Sequence, residues 1–349
     1  MSDQPPPADP SRPSLGEPDP PGMPAAYPGQ PPHPGQPYPG QPYPGQPYPG
    51  QSYPGQPPYG WYHPAGYGLD PSDVLVTPPG AGLGGWLARC VGAVRRSWQL
   101  LLPILVLTQV LPAAALSILA LAVEPAGRWE VEVVGDTAEL PATFWTDLGV
   151  MLGVLVGGGL IIGLVQCAGW AAGTWVIARQ AAGEAVSLGA ALRYGLRRAL
   201  GLWAWTLIIA LIVTLGACFC LLPGIYAAFA LAMVGPVYLF ERRDPISRSH
   251  RMLLARFGML LGRLALVFVT AIVVSLVAGV LESVARMPFG AVPLDSPGAA
   301  AGVTIVIGVG ALLALPAHLA QLVGLVVTYA EQRAHEAPVN SAQLAAELG

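Results

Sequence analysis

His318 and Gln321 are the polar pair best placed to do chemistry within the apolar part of this sequence. They lie three residues apart, and so on one helical face, just after Pro316, where a kink would free backbone carbonyls. This arrangement predicts a polar cavity or a contact with a lipid headgroup, and interhelical hydrogen bonding is the structural alternative. The other polar residues of the apolar runs are expected to form interhelical hydrogen bonds: Gln109, Gln166, Thr206 and Thr270.

Motifs for catalysis and metal binding are missing from the sequence, which has no Walker loop, GxSxG elbow or HExxH. Its cysteines, Cys90, Cys167, Cys218 and Cys220, are too dispersed for a zinc site or a disulfide framework. Cys218 and Cys220 could form a redox-active thiol pair, but we favour the interpretation that they are small buried side chains. We therefore predict no catalytic residue, no metal site and no cofactor.

Seven arginines in three basic segments are candidate contacts for lipid headgroups. They are Arg95, Arg96, Arg197, Arg198, Arg248, Arg251 and Arg256. Each segment precedes an apolar run, and in the third the apolar side chains between Ile246 and Leu261 share one helical face. The pattern predicts amphipathic helices on a membrane surface, with the ordinary positive flank of a transmembrane helix as the alternative.

Helix-start signals accompany two of these segments. Asp244 precedes Pro245, which predicts a helix that begins there with the Asp side chain as its cap. Ser187 is expected to cap the segment 186–198, and the segment 82–99 is the third. Together they indicate a weak threefold repeat of one surface helix and two membrane spans.

The composition places these residues in a membrane protein. Hydrophobic residues make up 53% of the chain and charged residues 11%, with a mean hydropathy of +0.53, whereas soluble proteins are about a quarter charged. Six apolar runs are long enough to cross a bilayer: 99–123, 147–178, 200–220, 222–240, 262–283 and 299–330. We predict an all-α polytopic bundle over residues 81–336 with a short tail at 337–349.

The second run carries Gly149, Gly153 and Gly157 at four-residue spacing, followed by Gly163. Glycines four apart remove side chains from one strip of a helix and let a neighbouring helix approach closely. This run is therefore expected at the centre of the bundle. The helix that packs against it is expected in the same chain, and a helix of a second copy is the alternative. A tight hairpin is expected near Leu222-Pro223-Gly224.

The arginines predict the orientation. With both termini inside, 15 of the 17 basic residues fall on the cytoplasmic side, and only Arg128 and Arg286 fall outside. No ionisable residue is expected near a membrane midplane, which argues against a proton- or sodium-coupled pump. An outer loop with alternating Trp129, Val131 and Val133 is expected to contain a short strand.

Residues 1–80 have the composition of a disordered arm, because Tyr-Pro-Gly-Gln-Pro repeats contain almost nothing that could form a core. The spaced tyrosines Tyr38, Tyr43, Tyr48 and Tyr53 could mediate self-association or bind a protein partner, and a solvated tether is the alternative. Membrane lipids are the other expected partners, and no nucleic acid is expected. The composition suggests a bacterial source and therefore the inner membrane.

The order PGIY, an apolar helix and then ERRDPISRSHRMLLARFGMLLGRL resembles the membrane domain that is fused to some glycerophosphoryl diester phosphodiesterases and also found without the enzyme. The ending TYAEQRAHEAPVNSAQLAAEL is similar to that family's Tyr-x-Asp-x-Arg ending, which Tyr329, Arg333 and Glu336 fit, while Glu331 stands where Asp is usual. The resemblance covers residues 82–347 and implies the membrane fold. The phosphodiesterase barrel has no counterpart in this chain.

These observations favour a non-catalytic membrane module that organises lipids or partner proteins at the inner face. The alternative is a permease or a transporter of lipids or small solutes. An enzyme that needs a separately encoded catalytic subunit is a third possibility.

Overall fold

A computed structural model of the chain describes residues 70–125, 132–134, 137–139, 141–290 and 292–349. The tyrosine repeats of the predicted arm lie outside these residues. The described residues form eleven α-helices: α1 Gly82–Leu105, α2 Leu111–Val123, α3 Phe144–Ala181, α4 Leu188–Phe219, α5 Leu221–Ala230, α6 Val234–Phe240, α7 Pro245–Ala255, α8 Phe257–Arg286, α9 Pro297–Leu313, α10 Leu315–Glu336 and α11 Ser341–Leu348.

Six segments of this helical chain are long and apolar enough to cross a membrane. They are Gly82–Val123, Phe144–Ala181, Leu188–Phe219, Leu221–Phe240, Phe257–Phe289 and Pro297–Glu336. Each of the six predicted runs falls on one of them, so the chain is an all-α polytopic integral membrane protein. The first span is α1 and α2 joined by a π-helical turn at Val106–Val110.

The third helix in the chain, α3, lies inside the bundle only in its C-terminal part, so the predicted central position does not hold for its most apolar stretch. It packs against α1, α2 and α4, while α10 packs against α1 and α8. The buried part of α3 begins at Cys167 and continues to Ala178. At 38 residues this helix is about 57 Å long, so it extends beyond a hydrocarbon core of about 30 Å.

Two of the three predicted surface helices are not separate helices. The segment 82–99 is the first part of α1, and the segment 186–198 continues without a break into the span formed by α4. Only α7 is separate, because the backbone leaves helical geometry at Arg256, with φ −143° and ψ 54°. The first two segments continue into their apolar runs and the third does not, so the predicted threefold repeat is not maintained.

The start of α7 differs from the prediction in one respect. The helix does begin at Pro245, but Asp244 adopts a left-handed conformation with φ 32° and its side chain makes no capping hydrogen bond. The predicted cap at Ser187 is confirmed, since its hydroxyl accepts a hydrogen bond from the N–H of Ala190 at 3.3 Å.

The fourth span has two irregularities that the sequence interpretation missed or misplaced. The predicted tight hairpin between α4 and α5 is confirmed, but its connecting residue is Cys220, and Pro223 and Gly224 lie in the first turn of α5. The span is then interrupted between Ala230 and Val234. Pro236 explains the interruption, since its ring has no N–H and disfavours helical geometry in the preceding turn.

Both ends of the described chain meet. Residues 70–80, assigned to the arm from sequence, pack onto the helical domain, where Leu75, Val76 and Thr77 are buried. Ser341, the first residue of α11, donates from its N–H to Asp73 Oδ2 at 2.8 Å. Residues 70–80 therefore belong to the helical domain and not to the predicted arm.

The loop after α2 contains a two-stranded antiparallel hairpin, β1 Glu132–Val134 and β2 Thr137–Glu139, in which Glu132 pairs with Glu139. The predicted strand is thus confirmed at Val133, while Trp129 and Val131 lie outside the described residues.

Candidate functional site

The glycine strip predicted to pack against a helix is only partly in contact. A Cβ atom added at Gly149, Gly153 or Gly157 would meet nothing within 4 Å in the part of the chain that the structure describes. At Gly163 the added atom would lie 3.3 Å from Trp203 Nε1, and at Gly173 it would meet Leu322. Close packing at these glycines therefore begins at Gly163, and the prediction for the first three glycines is wrong for the part of the chain that the structure describes.

The seven predicted headgroup arginines divide into two groups. Arg95, Arg197, Arg251 and Arg256 are exposed, and the end of the bundle that holds them is called the arginine-rich end. The other three are partly buried: Arg96, Arg198 and Arg248. Arg96 donates to the carbonyl of Val74 at 3.0 Å, which removes part of its guanidinium from the surface.

Arg248 belongs to an ionic cluster that consists of Glu241, Arg248, Arg333, Glu336 and Glu347. Its guanidinium donates to Glu241 Oε2 at 2.9 Å and also pairs with Glu336. Burial lowers the pKa of Arg248, but the hydrogen bonds and charges of Glu336 and Glu241 outweigh it and raise the pKa above its ordinary value. Arg248 is thus committed to partners in its own chain, which corrects its assignment as a headgroup contact.

The ionic cluster gathers the residues of the motif at the end of the sequence. Arg333 donates to the hydroxyl of Tyr329 at 2.9 Å and to Glu347 Oε1 at 2.8 Å. The same hydroxyl donates to Glu241 Oε1 at 3.1 Å. The cluster therefore joins α6, α7, α10 and α11 through paired charges.

A second ion pair is more deeply buried and was missed from sequence. Arg263 of α8 donates to Glu331 Oε2 of α10 at 3.1 Å, and their side chains are 10% and 3% exposed. The Arg263 guanidinium also lies 5.5 Å from the centre of the Trp86 ring, and Trp86 donates to Thr328 Oγ1 at 3.1 Å. The sequence shows the apolar runs next to Arg263 and Glu331. It does not show that these two residues, 68 positions apart, form a pair.

A cavity of about 400 Å³ lies within the bundle, and we call it the bundle cavity. Residues of α3, α4, α5, α6, α8 and α10 line it, together with the interruption of the fourth span. Its polar lining includes Gln166, Cys167 and Thr206, whereas neither His318 nor Gln321 lines it. In the described part of the chain, the side chains of His318 and Gln321 have no hydrogen-bond partner in the protein, so the predicted polar pair is not assembled into a site.

The other polar predictions are partly confirmed. Gln109 donates across helices to the carbonyl of Gln166 at 3.1 Å. Thr206 instead donates within its own helix to the carbonyl of Leu202 at 2.9 Å, with Cys167 Sγ 3.7 Å from its hydroxyl. Cys218 and Cys220 are exposed, so their interpretation as buried side chains is wrong.

Groups of three or more potential metal ligands do not occur among the residues that the structure describes. No protein-family model, curated protein or solved structure matches the chain.

Proposed function

We propose that the chain is a non-catalytic membrane module whose arginine-rich end binds anionic lipid headgroups. One observation supports this most directly. On each of three helices an exposed arginine lies three residues before an exposed apolar side chain: Arg95 before Trp98, Arg197 before Leu200 and Arg251 before Leu254. These apolar side chains are 52%, 65% and 57% exposed, and residues three apart on a helix are neighbours on its surface.

Such pairs suit the boundary between headgroups and acyl chains. The apolar side chain enters the acyl region while the guanidinium donates to phosphate oxygens, and each basic residue near an anionic surface contributes about 1 kcal/mol. The arginine distribution favours a cytoplasmic location for this end, with the protein in the inner membrane of a bacterium and both termini in the cytoplasm. We also propose membership of the membrane-domain family that the sequence resembles, and a role for the arm as a tether for a protein partner.

The test is retention of lipid by the purified full chain in nanodiscs that contain phosphatidylcholine with or without phosphatidylglycerol. Native mass spectrometry should show preferential retention of phosphatidylglycerol. The triple variant Arg95→Gln, Arg197→Gln, Arg251→Gln should lose that preference several-fold. The matched triple change to Lys keeps the charge and should retain most of the preference. Equal retention of the two lipids by the unaltered chain would overturn the proposal.

Transport is the second candidate function, and the interruption of the fourth span beside the bundle cavity favours it. Discontinuous membrane helices commonly form the substrate sites of transporters, since their irregular backbone lines a cavity. We expect a transporter to move a neutral lipid or small solute across proteoliposomes at a rate above that of protein-free vesicles. If a ligand that binds the chain crosses proteoliposomes no faster than it crosses protein-free vesicles, transport is contradicted. The proposal of headgroup binding would be unaffected by that result.

A further inference from the structure

We propose that the bundle cavity binds one long alkyl chain that carries a neutral oxygen group, such as an ester or a hydroxyl. This site is separate from the arginine-rich end and does not depend on headgroup binding there. The same ligand chemistry has two sources: one acyl chain of a membrane phospholipid, or a free neutral lipid with a single chain.

Size and lining favour an alkyl chain. Ligand sites usually have volumes of about 300 to 1,000 Å³, are mostly apolar and contain a few polar groups, and the bundle cavity, at about 400 Å³, fits this description. Leucine, isoleucine, valine, alanine and phenylalanine side chains form most of its wall. No charged side chain is among the described residues that line it, and an ionised group would therefore have no counter-charge there.

The polar atoms of the lining favour a neutral oxygen on that chain. In the described residues, neither the carboxamide of Gln166 nor the indole N–H of Trp170 has a hydrogen-bond partner, although both residues line the cavity. Unpaired donors at membrane depth are costly because hydrocarbon offers no acceptor. An ester or hydroxyl oxygen would accept a hydrogen bond from Gln166 without requiring a charge.

The interruption of the fourth span adds an acceptor. Pro236 has no N–H, so the carbonyl of Ala232, another lining residue, lacks the donor that would normally close the helical turn. On the other side of the interruption, Ser249 of α7 donates to the carbonyl of Ala230 at 2.7 Å and accepts from the N–H of Met233 at 3.2 Å. The protein thus satisfies the groups on the α7 side, whereas the carbonyl of Ala232 is an acceptor to which a ligand hydroxyl can donate and with which an ester cannot pair.

Access from the bilayer is consistent with the geometry. The cavity is partly open, and its lining residue Thr206 is exposed on a helix whose neighbouring surface carries exposed Leu207 and Ile208. A chain could therefore enter sideways from the lipid without crossing a charged surface.

Photocrosslinking of the full chain in nanodiscs tests the site. The probes are a phosphatidylcholine with a diazirine in one acyl chain and a monoacylglycerol with the same labelled chain. We expect peptides from 163–174 and 228–239 to be labelled at least fivefold more than the stretch 269–281 of α8, most of whose residues are exposed. Labelling by the first probe identifies a phospholipid chain as the source, and labelling by the second alone identifies a free neutral lipid.

Matched variants separate the cavity from the outer surface of the same helix. Ala228 lines the cavity and Ala227 does not, although both are partly buried in α5. Ala228→Phe should reduce cavity labelling at least fivefold, while Ala227→Phe should leave it unchanged. Equal labelling of the cavity and of 269–281, or no effect of Ala228→Phe in a protein that still unfolds at the normal temperature, would overturn the proposal.

Gln166→Leu tests the neutral oxygen. This change keeps the volume of the side chain and removes its amide, so it should reduce labelling by the monoacylglycerol several-fold. Labelling by an unsubstituted alkyl diazirine of the same length should be unaffected. If the monoacylglycerol and the unsubstituted alkyl diazirine label the cavity equally, both in the unaltered chain and in Gln166→Leu, the cavity does not recognise an oxygen group.

Discussion

The buried pair between Arg263 and Glu331 gives the sharpest prediction at the scale of single residues. Glu331→Gln would leave the Arg263 guanidinium buried without a counter-charge, which typically costs about 3 to 5 kcal/mol. Thermal or detergent-induced unfolding should show a loss of that size. The matched control is Glu184→Gln, because Glu184 pairs with Arg179 in a more exposed position where ion pairs contribute about 0 to 1 kcal/mol.

A double variant distinguishes the charge from the packing. Arg263→Met with Glu331→Leu removes both charges and keeps apolar volume, so it should recover most of the stability that Glu331→Gln loses. If the double variant is less stable than the single one, packing against Trp86 contributes more than the paired charge does.

Ser249 supplies a second prediction at this scale. Where the fourth span is interrupted, its hydroxyl donates to the carbonyl of Ala230 and accepts from the N–H of Met233. The residue is 1% exposed. Ser249→Ala would leave a buried carbonyl and a buried N–H without partners, at a cost of about 1 to 3 kcal/mol. Ser247→Ala changes an exposed residue of the same helix and should leave stability unchanged. Equal unfolding temperatures for the two variants would contradict this role.

At the scale of elements, Gly195 lies at a close backbone approach between α3 and α4. A Cβ atom at Gly195 would overlap the backbone carbonyl of Ala168, which cannot move aside as a flexible side chain can. Gly195→Ala should therefore separate the two helices locally and destabilise the bundle by about 1 to 3 kcal/mol or more. Gly189→Ala is the matched control on α4, because an added Cβ meets nothing within 4 Å there. Unfolding measured in the same detergent compares the two.

The elements were predictable to different degrees. Spans such as α8 follow from apolar length, which is a local property of the sequence. The interruption before Val234 was also readable in principle from Gly235-Pro236, but the surrounding hydropathy favoured one continuous span. The pairing of Arg263 with Glu331 and the lining of the bundle cavity could not be predicted, because they depend on how separate helices are arranged.

At the scale of the whole molecule, α11 joins the beginning of the described chain to its end. Ser341 donates to Asp73 at the start of α11, and Arg242 donates to the carbonyl of Leu348 at its end, at 2.8 Å. Arg333 pairs with Glu347 between these two points. The position of α11 therefore depends on contacts with residues that are distant from it in sequence.

Asp73 allows this connection to be tested. Its carboxylate accepts hydrogen bonds from Leu75 and Val76 as well as from Ser341, so Asp73→Ala removes the acceptors shared by both ends. Segments with few remaining hydrogen bonds open locally at low free energy. We therefore expect amide hydrogen exchange to increase in 73–80 and 341–348 together, with the membrane spans unaffected.

Asp70→Ala is the matched control for this last prediction, because the Asp70 carboxylate accepts only from Ser72 among the described residues. These local hydrogen bonds lower the pKa of Asp70, so they are present above its ordinary pKa and are lost as the pH falls through the lowered value. At neutral pH the control should alter exchange near residue 72 and leave 341–348 unchanged. Faster exchange in 73–80 alone after Asp73→Ala would contradict the connection between the two ends. Arg242 and Arg333 contact the C-terminal half of α11, and these contacts alone would then hold the helix in place.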